Sequence, residues 1–430
     1  MSQTNHMQLS PFQWVSRTSP SVSEIADIAG EISRSMDGLG LPAERLAGRR
    51  IAVTVGSRGI AGLKDIVRTL CQWLRGHGAQ PFVVPAMGSH GGATAEGQRG
   101  ILEEYGVRPD YIGAKVLASM DTVEIGKTDA GIRVFMDRLA WESDGVLVMN
   151  RVKPHTNFRG KIESGRLKMI AVGLGKRDGA EEVHRWAQRY GYESVIRPIS
   201  QVALASGKIL AGVGVVENEF HQICQVQASL PPGLVVQEEA LLQTARRLVP
   251  RLPFESAQVL IVDELGKNIS GTGMDTKVIG RGVETEPGEA PVIQMIYVRD
   301  LTMESGGNAL GMGYADLIHE RLYHKVELQK TYVNARTALN PDGVRLPMSL
   351  PSDREALGFA LGSVGSPEPA RQRLAWVRNT LDLVRVAASE PLAEEAARRG
   401  GWTVSERRFL PQFDAEGNLL RPPDDHHEAA

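Results

Sequence analysis

Short apolar runs that end in glycine turns recur in the first part of the chain, and they limit the possible folds more than any other feature. RRIAVTVGSRG (residues 49–59) and QPFVVPAMGSHGG (residues 80–92) each have the apolar, β-branched character of a buried strand and then enter a glycine turn. Between them, GLKDIVRTLCQWLRGHG repeats apolar residues at helical spacing. A strand, a helix and a strand in this order predict a parallel βαβ unit and therefore an α/β fold.

The length of the chain predicts two domains. With 430 residues it is too long for one ordinary hydrophobic core. PRLPFES, with two prolines, interrupts the pattern of strands and helices, and the alternation then resumes with apolar runs such as QVLIVDE and PVIQMIYV. We therefore expect two mixed α/β domains with a cleft between them, residues 1–254 and residues 255–430.

Charge and composition favour a small-molecule site. The formal net charge is −2, which gives no electrostatic reason to expect a nucleic-acid or membrane partner. No apolar run approaches the ~18 residues of a membrane span, and the opening residues lack the pattern of a signal peptide, so we expect a cytoplasmic protein. Cys71 and Cys224 are the only cysteines, too few for a disulfide framework or a thiolate metal cage.

Three predicted strands end in loops with polar side chains. Arg58 follows the first strand, His90 follows the second, and His155 follows the buried run DGVLVMN. Ligands of open α/β sheets collect beyond the carboxyl ends of the strands, so the three loops are expected to share one crevice. The alternative is that each side chain is simply a solvated loop residue. The glycine-rich segments VGLGKRDG and GVGVVENE fit neither the P-loop nor the dinucleotide-binding pattern.

The segment PHTNFRGKIESGRLKMIAVGLG (residues 154–175) resembles the nickel-dependent lactate racemase family. In that family a Pro-His precedes a glycine-rich stretch with a lysine, and a histidine follows on the next helix. The resemblance implies that Lys168 carries a nickel-pincer nucleotide as a thioamide and that His184 binds the nickel. The order of motifs matches the family over roughly residues 50 to 270.

The same resemblance implies the other site residues. His90 and His155 correspond to the two catalytic histidines, Arg58 to the arginine after the first strand, and Lys267 in DELGKNISG to a lysine of the second domain that faces the substrate. The cofactor contacts are expected to include a phosphate cradle in GLGKRDG, and they are assigned to Ser57, Arg166, Gly173 and Gly175. The implied partners are a 2-hydroxy acid substrate and the cofactor-synthesis enzymes of the host.

The residue types suit this chemistry. Imidazoles can take and return the hydroxyl proton of a 2-hydroxy acid, while the hydrogen at the 2-position moves as hydride to the cofactor. Apolar neighbours of Lys168 should lower its pKa, and Glu181 is a candidate hydrogen-bond partner for His184 on the same helix. Glu163 is expected to pair with a neighbouring base.

We therefore expect a 2-hydroxy acid racemase or 2-epimerase. The loop VGSRG lacks the acidic residue that usually precedes the arginine, and HTNFRGKIES adds charge, which favours a substrate larger than lactate. Two alternatives stay open at this point. One is a non-catalytic protein that binds or stores the nickel cofactor, and the other is a metallohydrolase that uses His90, His155 and His184.

Overall fold

The computed structural model describes residues 8–283, 290–365 and 368–423. The chain divides into two units. The N-terminal unit is Val22–Val249, and the C-terminal unit combines Met1–Ser21 with Pro250–Ala430.

The strands and helices are numbered in chain order. The strands are β1 (Phe12–Arg17), β2 (Arg50–Val55), β3 (Gln80–Pro85), β4 (Lys115–Val116), β5 (Thr122–Lys127), β6 (Arg133–Asp137), β7 (Gly145–Arg151), β8 (Ile209–Glu217), β9 (Ile223–Ser229), β10 (Ser256–Leu265), β11 (Val292–Leu301), β12 (Leu317–His319), β13 (Met348–Leu350), β14 (Leu374–Val377), β15 (Arg385–Ser389) and β16 (Trp402–Phe409). The helices are α1 (Ile28–Asp37), α2 (Leu63–Gly76), α3 (Ala95–Glu104), α4 (Pro109–Ile112), α5 (Arg138–Trp141), α6 (Arg166–Lys168), α7 (Lys176–Tyr190), α8 (Tyr192–Ala205), α9 (Pro231–Leu248), α10 (Thr276–Ile279), α11 (Glu320–Lys325), α12 (Leu328–Ala338), α13 (Asp353–Ser363) and α14 (Glu390–Arg398).

The N-terminal unit is built on a six-stranded sheet of order β4-β3-β2-β7-β8-β9. β9 pairs antiparallel with β8, and the other pairs are parallel. β2 pairs with β3 from Arg50↔Gln80 to Val55↔Pro85, which confirms the predicted βαβ unit. The sheet is mixed α/β as predicted, and the hairpin β5-β6 forms a small separate sheet.

Helix α2 shows why this sequence packs on the sheet. Its apolar residues recur at helical spacing, so they share one face and join the core with Ile51, Val53 and Val55 of β2. Cys71 lies on that face, and burial raises the pKa of its thiol to about 12. The cysteine is therefore a small apolar core residue.

The C-terminal unit has an eight-stranded sheet of order β13-β12-β11-β10-β14-β15-β1-β16. Its β1 strand comes from the start of the chain and pairs antiparallel with β15 and β16. The N-terminal domain predicted from the sequence, residues 1–254, includes this segment. Phe12 and Val15 instead bury their side chains among residues of the C-terminal unit. The boundary itself, between Val249 and Pro250, lies close to the predicted position, and the cleft between the domains stays a prediction.

A buried ion pair ties the end of the chain to the C-terminal unit. Asp353, at the start of α13, is fully buried and accepts from Arg299 at 2.8 Å and from the hydroxyl of Tyr297 at 2.5 Å. The backbone N–H of Leu419 donates to the same carboxylate at 2.6 Å. Burial opposes ionisation of Asp353, but Arg299 and the other hydrogen bonds outweigh it and hold its pKa below the usual value.

No helix in the described part of the chain is long and apolar enough to cross a membrane.

Candidate active site

Three loops meet at one edge of the N-terminal sheet. β3, β2 and β7 are neighbouring parallel strands, so the loops that follow them lie beyond the same edge. These loops carry Arg58, His90 and His155. The three loops therefore lie beyond one sheet edge, as expected, and the shared crevice stays a prediction.

Ser57 joins the first two loops. Its hydroxyl forms a short hydrogen bond with Nδ1 of His90, and the hydroxyl of Tyr105 donates to the Ser57 carbonyl at 3.1 Å. The imidazole of His90 is exposed, and its backbone carbonyl accepts from the side chain of Gln98 at 3.2 Å. Ser57 thus orients His90. The cofactor contact implied for Ser57 stays a prediction.

The third loop brings His155 to Lys168. Nε2 of His155 lies 2.5 Å from Nζ of Lys168. Glu163, which is buried, shapes this loop by accepting from the backbone N–H of His155 at 2.5 Å and from that of Gly160 at 3.3 Å. Arg246 of α9 pairs with Glu163 at 2.5 Å, so the expected pairing of Glu163 with a base is confirmed.

Lys168 ends α6 and is followed by one π-helical stretch, Met169–Gly173. Such π-turns are found often at functional sites. Burial lowers the pKa of Lys168 to about 7, with further lowering by the charges of Arg58 and Lys153 and an opposing effect of Glu163. The expected low pKa of this amine is confirmed, and about half of it is neutral at pH 7.

Aromatic rings connect His155 to His184. The ring of Phe158 lies between those of His155 and Tyr192, with centroid distances of 4.4 and 4.7 Å. The ring of Tyr192 meets that of His184 edge-on at 5.7 Å. Both histidines and Lys168 therefore surround one aromatic cluster, formed by Phe158 and Tyr192.

His184 lies on α7, as predicted, and its Nδ1 is 3.0 Å from the Tyr192 hydroxyl. Burial, with the nearby charge of Lys168, lowers the pKa of His184 to about 4, so the imidazole is neutral at neutral pH. The prediction that Glu181 supports His184 is wrong. Glu181 is exposed and pairs with Arg177 one turn back, because both side chains project to solvent from the same helix.

Two glycines of the predicted phosphate cradle, Gly173 and Gly175, pack closely against neighbouring backbone. A Cβ atom on Gly173 would lie 2.6 Å from the carbonyl oxygen of Ala86, and one on Gly175 would lie 2.8 Å from that of Ala171. Both glycines are buried, and they allow this close approach of backbone to backbone. This placement gives the two glycines a packing role, and their contact with a phosphate stays a prediction.

Arg166 is also turned away from the cluster. It is fully buried, pairs with Glu238 of α9 at 2.7 Å, and donates to Gly212 of β8 at 3.2 Å and to Ser229 at 2.8 Å. The prediction that Arg166 contacts the cofactor is not supported by this position. Its guanidinium instead fastens α6 to α9 and the sheet.

A buried network below the His90 loop was not predicted. Lys176, fully buried at a left-handed φ of 51°, pairs with Asp137 at 3.0 Å. Its Nζ also donates to the carbonyl of Pro85 at 2.5 Å and to the side chain of Gln98 at 3.1 Å. Gln98 in turn donates to the carbonyls of Gly88 and His90. The network fixes the loop that carries His90 to the start of α7.

Lys267 lies in the C-terminal unit, in the loop after β10. Its backbone N–H donates to Ser305 at 2.9 Å, and its ammonium donates to the carbonyl of Gly271. Its expected role toward the substrate stays a prediction.

Sequence reasoning missed Tyr192 and Phe158. Each is a single aromatic residue without a motif, and only the fold brings the two rings together. Lys176 belongs to the predicted cradle GLGKRDG, but its burial depends on Asp137 of β6 and Gln98 of α3, which are far away in the sequence.

The residues around the aromatic cluster fit a nickel cofactor held by one lysine. The amine of Lys168 is partly neutral at pH 7, as acylation requires. The imidazole of His184 is neutral, and the Tyr192 hydroxyl can accept from its Nδ1–H, which leaves Nε2 free to bind a metal. Within residues 8–283, 290–365 and 368–423, no group of three or more His, Cys, Asp or Glu could hold a metal ion.

The fold and the site together define a two-unit α/β protein in which a lysine of lowered pKa and three histidines lie near one sheet edge. Residues 18–190 match the sequence family described as the lactate racemase N-terminal domain. The match covers less than half of the chain, so the similarity to the lactate racemase family concerns this N-terminal segment. This similarity supports a racemase or epimerase type of function, and hence an isomerase, in general terms.

One solved structure shows how far the fold extends. The lactate racemase apoprotein from Thermoanaerobacterium thermosaccharolyticum is similar with a TM-score of 0.53 at 12% identity, over 87% of this chain and 99% of that chain. At this identity the likeness concerns the fold alone. No curated protein matches the sequence.

Proposed function

We propose that the protein is a racemase or 2-epimerase of a 2-hydroxy acid and that it works with a nickel-pincer nucleotide attached to Lys168. His184 would bind the nickel. When bound, this group would supply an acceptor for the hydrogen at the 2-position of the substrate, removed as hydride. The host's cofactor-synthesis enzymes would be the partners that provide it.

The chain's own residues would handle the substrate's proton and charge. His90 and His155 would remove the proton from the substrate hydroxyl and return it. Arg58, exposed in the loop after β2, would bind the carboxylate, with Lys267 of the C-terminal unit as a second cation. Ser57 would keep the ring of His90 oriented through its hydrogen bond.

The contact between Lys168 and His155 carries the proposal. It places an amine with a pKa of about 7 within 2.5 Å of a candidate base, in a site that also holds His184 and Arg58 near the same amine. A solvated surface lysine would show neither the contact nor the low pKa.

Intact mass and metal content test the attachment. We expect protein purified from its native host to carry a nucleotide-sized adduct on Lys168 and bound nickel. The matched control is Lys168→Arg, which keeps the positive charge but should carry neither. Active protein with an unmodified Lys168 would refute the proposal.

An isotope experiment tests the reaction and the substrate. Cofactor-loaded protein is given a panel of 2-hydroxy acids in deuterated water, and the 2-position of each product is analysed. Hydride transfer should keep the original hydrogen on carbon, whereas a histidine acting on carbon would exchange it with solvent. Rapid incorporation of deuterium would reject hydride transfer.

The same panel tests the substrate class. The charged groups Lys153, Arg159 and Lys161 in the His155 loop favour a larger or more hydroxylated acid than lactate, such as a sugar acid or a dicarboxylate. A clear preference for lactate over every larger acid would contradict this. An adduct with nickel but without interconversion of any acid would indicate the storage alternative.

A further inference from the structure

Both ring nitrogens of His155 have hydrogen-bond partners, and the partners differ in kind. The backbone N–H of Asn157 donates to Nδ1 at 3.1 Å. Nε2 faces Nζ of Lys168 at 2.5 Å. The two contacts together determine where the proton of the ring lies.

A backbone N–H can only donate, so Nδ1 of His155 must be the acceptor and carries no proton. A neutral imidazole has one N–H, which is therefore on Nε2. Nε2–H then donates to the lone pair of Nζ, and Lys168 must be an uncharged amine. An ammonium at Nζ would need a lone pair on Nε2, and the proton would then sit on Nδ1, facing the Asn157 N–H.

The ring of His155 is held in this orientation from several sides. Phe158 stacks on it with an interplanar angle of 31°. The backbone N–H of His155 is bound by Glu163, which is itself anchored by Arg246. The contact between Nε2 and Lys168 is thus a consequence of how the loop folds.

Two cationic side chains that face Lys168 also favour the neutral amine. Arg58 from the loop after β2 and Lys153 from the loop after β7 disfavour an ammonium, and His184 of α7 interacts with it electrostatically. Glu163 opposes them, but it pairs with Arg246. The neutral amine that the hydrogen bonds require is therefore also the form that the surroundings favour.

We propose that His155, fixed by the Asn157 N–H, holds Lys168 as a neutral, nucleophilic amine that is ready for acylation before any catalytic cycle begins. This deepens the proposed function and rests on Lys168 as the attachment residue. In the step, the Nζ lone pair leaves its hydrogen bond with Nε2–H, attacks the thioacyl carbon of an activated thioacyl donor and forms the N–C bond. The bond from that carbon to the leaving group breaks, the leaving group keeps the electron pair, and one Nζ proton passes to water.

The first test reads the tautomer of His155 directly in protein without cofactor. Histidine labelled with ¹⁵N is incorporated, and imidazole nitrogen–carbon-proton correlations are recorded at pH 8, with the His155 signals assigned from their absence in His155→Gln. We expect protonated Nε2 and unprotonated Nδ1. The opposite tautomer would overturn the proposal.

A matched variant separates the two partners of the ring. Lys168→Met removes the amine but leaves the Asn157 N–H in place. His155 should keep its proton on Nε2, since Asn157 sets the tautomer. A move of the proton to Nδ1 in this variant would show that Lys168 sets it and would refute the inference.

The second test measures the amine. Cofactor-free protein is treated with acetic anhydride at several pH values, and acetylation of each lysine is followed by peptide mass spectrometry, with exposed Lys161 as the internal reference. An ordinary lysine has a pKa of about 10.4, so very little of Lys161 is the neutral, reactive amine at pH 7. A less basic amine is also a weaker nucleophile, which offsets part of the advantage of Lys168. We therefore expect Lys168 to react about 10- to 100-fold faster than Lys161 at pH 7. A Lys168 that follows the pH profile of Lys161, or does not react, would refute the neutral amine.

These tests use neither the nickel cofactor nor turnover. A chain that acquires the adduct in its native host but shows the Nδ1–H tautomer in its cofactor-free form would keep the proposed function and reject this inference. A reactive Lys168 with the Nε2–H tautomer, in a protein that never acquires the adduct, would do the reverse.

Discussion

Replacing Lys176 by Met should destabilise the N-terminal unit and disturb the loop that carries His90. The substitution keeps the length of the side chain and does not change the left-handed backbone at this position. It removes the ion pair to Asp137 and the hydrogen bonds to Pro85 and Gln98. Asp137 would remain as a fully buried carboxylate without its cation.

The cost follows from that isolated charge. Removing one partner of a buried ion pair costs about 3–5 kcal/mol, because the remaining ion stays out of water. Burial already lowers the pKa of Lys176, so the pair is less than ideal and the lower half of this range is expected. Asp137→Asn in the same chain should recover part of the loss, since the amide needs no counter-charge and its oxygen can still accept from Ala140 at the start of α5.

Hydrogen exchange followed by mass spectrometry reads this effect locally. We expect peptides covering residues 86–98 to exchange faster in Lys176→Met, and the double variant to regain protection. Urea unfolding gives the global free energy. A loss below about 1 kcal/mol, or a double variant less stable than Lys176→Met, would refute the reasoning from a buried unpaired charge.

Three further predictions concern the proposed bases, a buried arginine and the loss of stability at acid pH. His90→Ala and His155→Ala should each lower interconversion of enantiomers by at least ~10²-fold while the adduct and nickel stay bound, and full activity of both would contradict the assignment. Arg166→Met should lower the free energy of unfolding by about 3–5 kcal/mol, because Glu238 would stay buried without its partner. The folded fraction should keep the adduct. Selective loss of the adduct would instead support the predicted contact between Arg166 and the cofactor. The folded state lowers the pKa of Asp353, so this carboxylate stabilises the fold above its unfolded pKa near ~4, and the stabilisation is lost as the pH falls further. Asp353→Asn should therefore weaken the dependence of the unfolding free energy on pH in the acid range. An unchanged slope would exclude the ion pair as its cause.

The part of the site that strand ends determine could be predicted from the sequence. Arg58, His90 and His155 each follow an apolar run, and parallel pairing places their loops at one edge whatever the details of packing. The low pKa of Lys168 was also predictable, because the apolar run MIAVGLG after it indicates burial. Both inferences use only neighbours along the chain and the geometry of the sheet.

Other features depend on distant contacts. The sequence GLGK predicts an anion-binding loop. In the structure Gly173 packs closely against the backbone of Ala86, and Lys176 forms an ion pair with Asp137. The first strand belongs to the C-terminal sheet because β15 and β16 offer it pairing partners more than 360 residues away along the chain. No local pattern in the sequence encodes such partners.

The two proposed bases, His90 and His155, are held by hydrogen bonds of different kinds. The hydroxyl of Ser57 can donate or accept, so His90 keeps this bond in either tautomer. The Asn157 N–H can only donate, so His155 must give up that bond before Nε2 can accept a proton.

Losing the hydrogen bond from Asn157 costs His155 less than general acid–base catalysis gains. A typical hydrogen bond contributes about 0.5–1.5 kcal/mol net, which corresponds to a roughly 2- to 13-fold loss, and Asn157 is partly exposed, so water can replace the ring. General acid–base catalysis gains about 10²–10⁴-fold. Acylation of Lys168 would also remove the lone pair that holds Nε2–H. The contact that prepares the amine therefore does not prevent His155 from acting later as a base, and attachment of the cofactor is the event that separates the two roles.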